Sequence, residues 1–199
     1  MKRSLTIILL LVLIIPLPFS CVDGSDNADF LRIENFDLTT GKILLDSSSD
    51  YYTLGYVPMG DTIPSKKFGL VLKVSDVSFV SLSSELSFVG SAFAKRLPPE
   101  LESSIALISV YADSDIETEI GRFSAGSNLI SIFEASFART HPEGVISFLS
   151  STADLEHGSQ IFLHLKNEVQ HPIELTFSVK VTMSDGTIFD KESEEVILQ

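Results

Sequence analysis

Four carboxylates, Asp113, Asp115, Glu117 and Glu119, recur at every second position and form the densest acidic run in the chain. In an extended segment that spacing puts all four on one face, where their oxygens could attract a hard cation such as calcium. The run lacks the glycine and the closing bidentate glutamate of an EF-hand loop, so a solvated strand face or loop is the favoured reading and a cation site the alternative. His141, His157, His164 and His171 supply imidazoles, but no two have the close spacing of zinc ligands, and His141 and His171 each precede a proline. A catalytic zinc gathers three protein ligands at fixed geometry, so no metal and no cofactor is expected. The chain has no glycine-flanked serine elbow, no HExxH and no phosphate-binding glycine loop. Tyr51, Tyr52 and Tyr56 lie together between turn-like segments. An exposed group of this kind can stack on a sugar or form an interaction patch; the favoured alternative is that the three flank a strand running into the core.

The elements that must position these residues read as strands. Ile173, Leu175, Phe177, Val179, Val181 and Met183 alternate with polar residues, the pattern of one strand with a buried and a solvated face. Ser184-Asp185-Gly186-Thr187 then predicts a turn, with Thr187 to Phe189 and Glu195 to Leu198 completing a terminal hairpin. Further strands are expected over Phe30 to Leu38, Lys42 to Leu45, Phe68 to Val80, Ser104 to Tyr111 and around Ile161, Leu163 and Leu165. Two helical crossovers are expected. One is capped by Ser127 and carries Leu129, Ile130, Phe133 and Phe137; the other starts at Thr140-His141-Pro142-Glu143 and carries Val145, Ile146 and Leu149. Seven or more short strands separated by turns predict an all-β fold, a single immunoglobulin-like β-sandwich over residues 30–199.

The first residues read as an address. Lys2 and Arg3 precede a mainly apolar block, Leu5 to Leu17, short of the roughly 20 residues a spanning helix needs. This is the layout of a secretory signal over residues 1–20. Cys21, the sole cysteine, follows at once, and Leu17-Pro18-Phe19-Ser20-Cys21 resembles a relaxed bacterial lipobox, which implies lipidation of Cys21. Acyl chains on that residue would tether the protein to a membrane rather than thread it through. Residues 21–29 are polar and acidic, an extended tether, and acids so close to a lipidated cysteine resemble the export signal of surface lipoproteins in Bacteroides-type bacteria. Asp61-Thr62-Ile63 resembles the O-glycosylation acceptor of the same bacteria and predicts an exposed Thr62.

Removing Lys2 and Arg3 with the signal takes the 14 basic residues to 12 against 27 acidic ones, a formal charge of −15. Such a domain is repelled by nucleic acid, which is not an expected partner. The relaxed lipobox, the acidic tether, the stretch Phe123-Ser124-Ala125-Gly126-Ser127-Asn128-Leu129 and the ending Phe177 to Gly186 together resemble a family of uncharacterised lipoproteins of Bacteroides and Parabacteroides, about 200 residues long. That family implies no activity and no functional residue. The expectation is an exported protein, lipid-anchored at the outer membrane and displayed at the cell surface. Its β-sandwich would be a non-catalytic module that binds a protein or glycan or serves assembly. A glycan or peptide hydrolase using paired carboxylates, or a purely structural envelope protein, are the alternatives.

Overall fold

The computed structural model describes residues 29–46, 51–55, 57–58, 60–81, 100–150 and 155–199. Nearly all belong to one compact unit, Leu31–Ser78 with Leu101–Gln199, which is the body described below; residues 29–30, 79–81 and 100 belong to a second. Its strands in chain order are β1 (Asp29–Asp46), β2 (Tyr51–Gly55), β3 (Thr62–Ile63), β4 (Phe68–Ser81), β5 (Glu100–Leu101), β6 (Ile105–Ala112), β7 (Ile116–Thr118), β8 (Gly121–Phe123), β9 (Phe133–Phe137), β10 (Glu143–Gly144), β11 (Gln160–Leu165), β12 (Ile173–Leu175), β13 (Phe177–Met183), β14 (Ile188–Glu192) and β15 (Val196–Leu198). One short helix, α1 (Val145–Leu149), interrupts them. No helix among the described residues is long and apolar enough to cross a membrane.

The fold is an all-β sandwich. The large sheet runs β10-β9-β11-β4-β1-β2, with β5 also on β1; facing it are the sheets β14-β13-β6 and β12-β15-β3, and β7-β8 form a ribbon. Aromatic rings tie the layers together. Phe68 stacks on Phe177 at 5.1 Å, Phe133 meets Phe177 edge-on at 6.0 Å, and Phe36 meets Phe189 at 5.2 Å. Around them Leu70, Leu72, Ile108, Val110, Leu163, Val179 and Val181 are buried without residual exposure, a continuous core of the kind alternating strands are built to fill.

Several elements differ from the sequence expectation. The alternating run Ile173 to Met183 is two strands, because the chain changes sheets at Thr176: β12 pairs with β15, whereas β13 lies between β14 and β6. Polar side chains take up the backbone groups released by the change. Asp113 Oδ1 accepts from the Thr176 amide at 3.0 Å, and Ser193 Oγ accepts from the Phe177 amide at 2.9 Å. The alternation continues through the break because both strands turn the same parity inward, so nothing in the pattern marks it. The expected helix after Ser127 is instead a 3-10 turn, Ile130–Ile132, leading into β9. Phe133, Ala135 and Phe137 suit a strand as well as Phe133 and Phe137 suit a helix face, and hydrogen bonding to β11 and β10 decides between them. The second helix starts later than expected, at Val145, with Glu143 and Gly144 forming β10 and Gly144 at the helix boundary; Val145 and Phe148 are buried while Ile146 is 88% exposed.

Phe30 to Leu38 and Lys42 to Leu45, expected as separate strands, are one strand of 18 residues. The terminal turn is as expected: Gly186 has φ 89°, and Asp185 Oδ1 accepts from the Thr187 amide at 2.8 Å. Beyond β14 the chain leaves that hairpin, and β15 joins β12 and, in parallel, β3.

Candidate functional site

The acidic run does not assemble a cation site. Ile116 and Thr118 are buried while Asp113, Asp115, Glu117 and Glu119 are exposed, so the alternation is real, but only Ile116–Thr118 is strand and the outer acids lie in the bends beside it. Two are already engaged with protein donors. Asp113 holds the sheet change at Thr176, and Asp115 accepts from the Ala125 amide at 2.8 Å and from Arg122 at 2.6 Å. Those bonds, the amide first, hold the Asp115 carboxyl below its usual range. Among the described residues no group of three or more His, Cys, Asp or Glu is placed to hold a metal ion. His141, His157 and His171 are exposed and scattered.

Thr62 is half-buried within β3, in register with Ile197 of β15, rather than standing out on an exposed loop. Cys21, Tyr56, the signal over residues 1–20 and all of the tether except Asp29 lie outside the described residues.

Two concave features are built by residues far apart in sequence. The first is a hollow of about 460 Å³ at the end of β1 and the β13–β14 turn, with Ile33, Met183 and Phe189 as its apolar wall. Its rim carries Arg32, Glu34 and Asp185. Arg32 is bound bidentately by Glu102, Nη2 to Oε1 at 2.7 Å, and Glu34 and Asp185 act on it through space. Each carboxylate has its own partner: Glu34 accepts from the Ser78 hydroxyl at 2.5 Å, Asp185 from Thr187, and Glu102 from Arg32. The Arg32 hydrogen bond holds Glu102 below the usual carboxylate range, and the Thr187 amide does the same for Asp185. Neither keeps a proton at neutral pH, so neither is tuned as a general acid.

The second feature is a small nest on the other face of the large sheet. Along β11, Ile161, Leu163 and Leu165 point into the sandwich, while Phe162 and His164 point away. The β1–β2 hairpin covers them. The Tyr52 amide donates to the Ala138 carbonyl at 2.7 Å, just past the end of β9, so the sheet's edge strand reaches round to a strand on the far side and nearly closes this end of the sheet. Ile43, Val71 and Phe162 are buried inside, with Tyr52, Leu54 and Ala138 packed against them. Gly69 leaves the necessary room, since a β-carbon there would overlap Ile43 Cδ1, and one at Gly41 would come within 2.7 Å of the Gly55 carbonyl oxygen.

His164 lies within this nest. Its Nε2 is 2.8 Å from the fully buried Ser136 Oγ, and the Tyr52 ring meets the imidazole edge-on at 4.8 Å. Burial pushes the imidazole down to about 4, so it is neutral at pH 7. Outside the nest the Arg139 guanidinium sits 4.4 Å above the Tyr51 ring and donates to the Tyr51 hydroxyl. Tyr51 and Tyr52 therefore turn to different neighbours and do not form one open stacking platform.

No family model and no curated protein matches the chain. Among solved structures, the C-terminal domain of the Streptococcus agalactiae antigen I/II polypeptide BspA is similar at 10% identity and a TM-score of 0.25, covering 82% of this chain and 49% of that one. The C-terminal domain of the Streptococcus pyogenes antigen I/II-family protein AspA is similar at 11% identity and a TM-score of 0.16, covering 49% and 29%. This chain spans about half the length of the BspA domain or less of these structures.

Sequence reasoning missed both concave features. One signal was present for the nest: Phe162 and His164 occupy the parity of β11 that a solvated face would give to small polar residues, which marks a strand covered on both sides. The hollow left no such trace, since Arg32, Ser103 and Asp185 come from three distant segments.

Proposed function

We propose that this protein is an envelope lipoprotein, exported and anchored through Cys21, whose β-sandwich is a non-catalytic binding or assembly module. The carrying observation is the form of its polar surface. Among the described residues the edge strand β14 pairs on one side only, with β13, and it exposes Ile188, Asp190 and Glu192. Across Thr182 from Ile188 lies Leu107, exposed by 50%, so this face is a strand edge with scattered acids and an apolar row rather than a cleft. Such an edge suits recognition by main-chain pairing or by a flat contact. Asp185 in the hollow is kept ionised by the Thr187 amide, and Glu102, bound to the rim residue Arg32, is kept ionised too, which speaks against the paired-carboxylate hydrolase. The acid-rich composition is consistent with a partner that is neither nucleic acid nor an anionic headgroup.

Two measurements test this reading. Cys21→Ser should move the protein from the membrane to the soluble fraction of its host; unchanged membrane association would overturn the anchor. Incubation with envelope polysaccharide and peptidoglycan should release no product over time. Release that disappears in the Glu34→Gln, Asp185→Asn double variant would establish the hydrolase instead.

A further inference from the structure

We propose that the β1–β2 arm is an acid-released latch, held down by a neutral His164 seated between Ser136 and Tyr52 and let go when that imidazole takes up a proton. The geometry is that of a lid closed over a titratable group. The lid is the hairpin pairing Lys42 with Gly55 through Asp46 with Tyr51. It is held at its far side by the Tyr52 amide on Ala138 and by Arg139 on Tyr51. Its underside is the small cluster of Ile43, Tyr52 and Leu54 on Val71, Phe162 and Ala138. That cluster is small beside the main core and separate from it, so the arm's opening is separable from unfolding of the sandwich.

The charges facing His164 decide what a proton does there. From β4 the register partner is Gly69 and its neighbour on the same face is Val71, neither of them charged, and the 3-10 turn Ser65–Lys67 just before β4 carries the exposed Lys66 and Lys67. From β1 comes Ile43 and from β2 the Tyr52 ring. From β9 come Ser136 and Glu134, the latter directly opposite His164 and half-buried. On its own strand side, Lys166 follows two residues later and is exposed. A cation in the closed nest therefore loses water, and that burial is the cause of the depressed basicity; Glu134, though opposite, forms no ion pair with the imidazole in the closed arrangement. Once Tyr52 lifts away, water reaches the imidazolium and the Glu134 carboxylate, cross-strand from it, becomes its counter-charge. Protonation thus favours the open arm, and Ile43, Val71 and Phe162 are uncovered together.

The sign follows from the two proton affinities. The open form binds a proton near the ordinary value of 6.5 and the closed form near 4, so acidification through that interval drives opening, and below it the drive stops growing. The test is hydrogen exchange of the full chain, followed by mass spectrometry and corrected for intrinsic exchange. Between about pH 7 and pH 4.5 the protection of residues 42–46 and 51–55 should fall roughly tenfold or more, while β13 keeps its protection. His164→Asn and His164→Phe should each abolish the fall, and Glu134→Gln should move it to lower pH. The latch is overturned if residues 42–46 and 51–55 keep their protection in acid, if they lose it only together with β13, or if both His164 variants still show the fall. Should those variants not fold, NMR titration of His164 in the unaltered protein decides: a midpoint well below 6.5 supports the latch, and one at or above it overturns it.

Discussion

Strand β11 buries both of its faces, and the two are covered in different ways. Ile161, Leu163 and Leu165 meet the opposing sheet in a core of phenylalanines and branched aliphatics, in which Phe68, Phe133 and Phe177 are almost completely enclosed. Phe162 and His164 meet only the sheet's own curled edge, with three buried apolar residues and a serine–histidine hydrogen bond between them. The first face is closed by many apolar contacts, with no ionisable side chain among the buried residues. The second is closed by a hairpin, depends on glycines for clearance, and encloses a group that can ionise. A large apolar core has no means of responding to pH; a small nest built around an imidazole does.

Predictions that probe this contrast run from core to surface. Phe177→Ala removes the ring on which both Phe68 and Phe133 pack and should cost about 3–5 kcal/mol of global stability in urea denaturation. A loss no larger than that of a nest substitution would erase the distinction between the two faces. Gly69→Ala should cost about 1–3 kcal/mol by overpacking, because the added carbon overlaps Ile43 Cδ1. Ile43→Val deletes that atom, so most of the penalty should vanish in the double variant; a strictly additive double-mutant cycle would show that the nest is not packed as described.

Ser136→Ala removes one neutral hydrogen bond and should cost about 1 kcal/mol, read as weaker exchange protection of the arm rather than of β13. The smallest effect is expected on the rim of the hollow. Arg32→Ala breaks an exposed ion pair and should leave the melting temperature at neutral pH within error. The acid dependences separate the two kinds of site further. Glu102 and Asp185 have lowered carboxyls, so their contribution is complete above the ordinary carboxylate range and is lost as pH falls through it. His164 acts earlier in an acid titration, between 6.5 and about 4, and a stability profile of His164→Phe should be flatter there than that of the unaltered chain.

Much of the sandwich was legible because its strands carry the period-two pattern that a one-sided core imposes. β13, the turn at Gly186 and the strand from Phe68 follow directly from it. The sheet change at Thr176 was hidden because both flanking strands turn the same parity inward, and β9 was hidden because Phe133 and Phe137 fit two periods at once. Of the candidate site residues, the acids 113–119 were rightly placed on a solvated face, but their partners Arg122, Ala125 and Thr176 could not be seen from spacing. Tyr52 was visible only as one of a group of aromatics; its separation from Tyr51 depends on which way each faces along β2.

The sequence by itself determined a β-rich body, because alternation is a local consequence of pleating and needs no knowledge of the partner strand. It determined the excess of negative charge as well, since that is a sum over residues. Only the tertiary structure decided which strands share a sheet, that the β1–β2 hairpin curls back to Ala138, and that Ser136, His164 and Tyr52 meet beneath it. Those outcomes rest on contacts between segments tens of residues apart, and the depressed basicity of His164 is a property of the closed nest rather than of its neighbours in the chain.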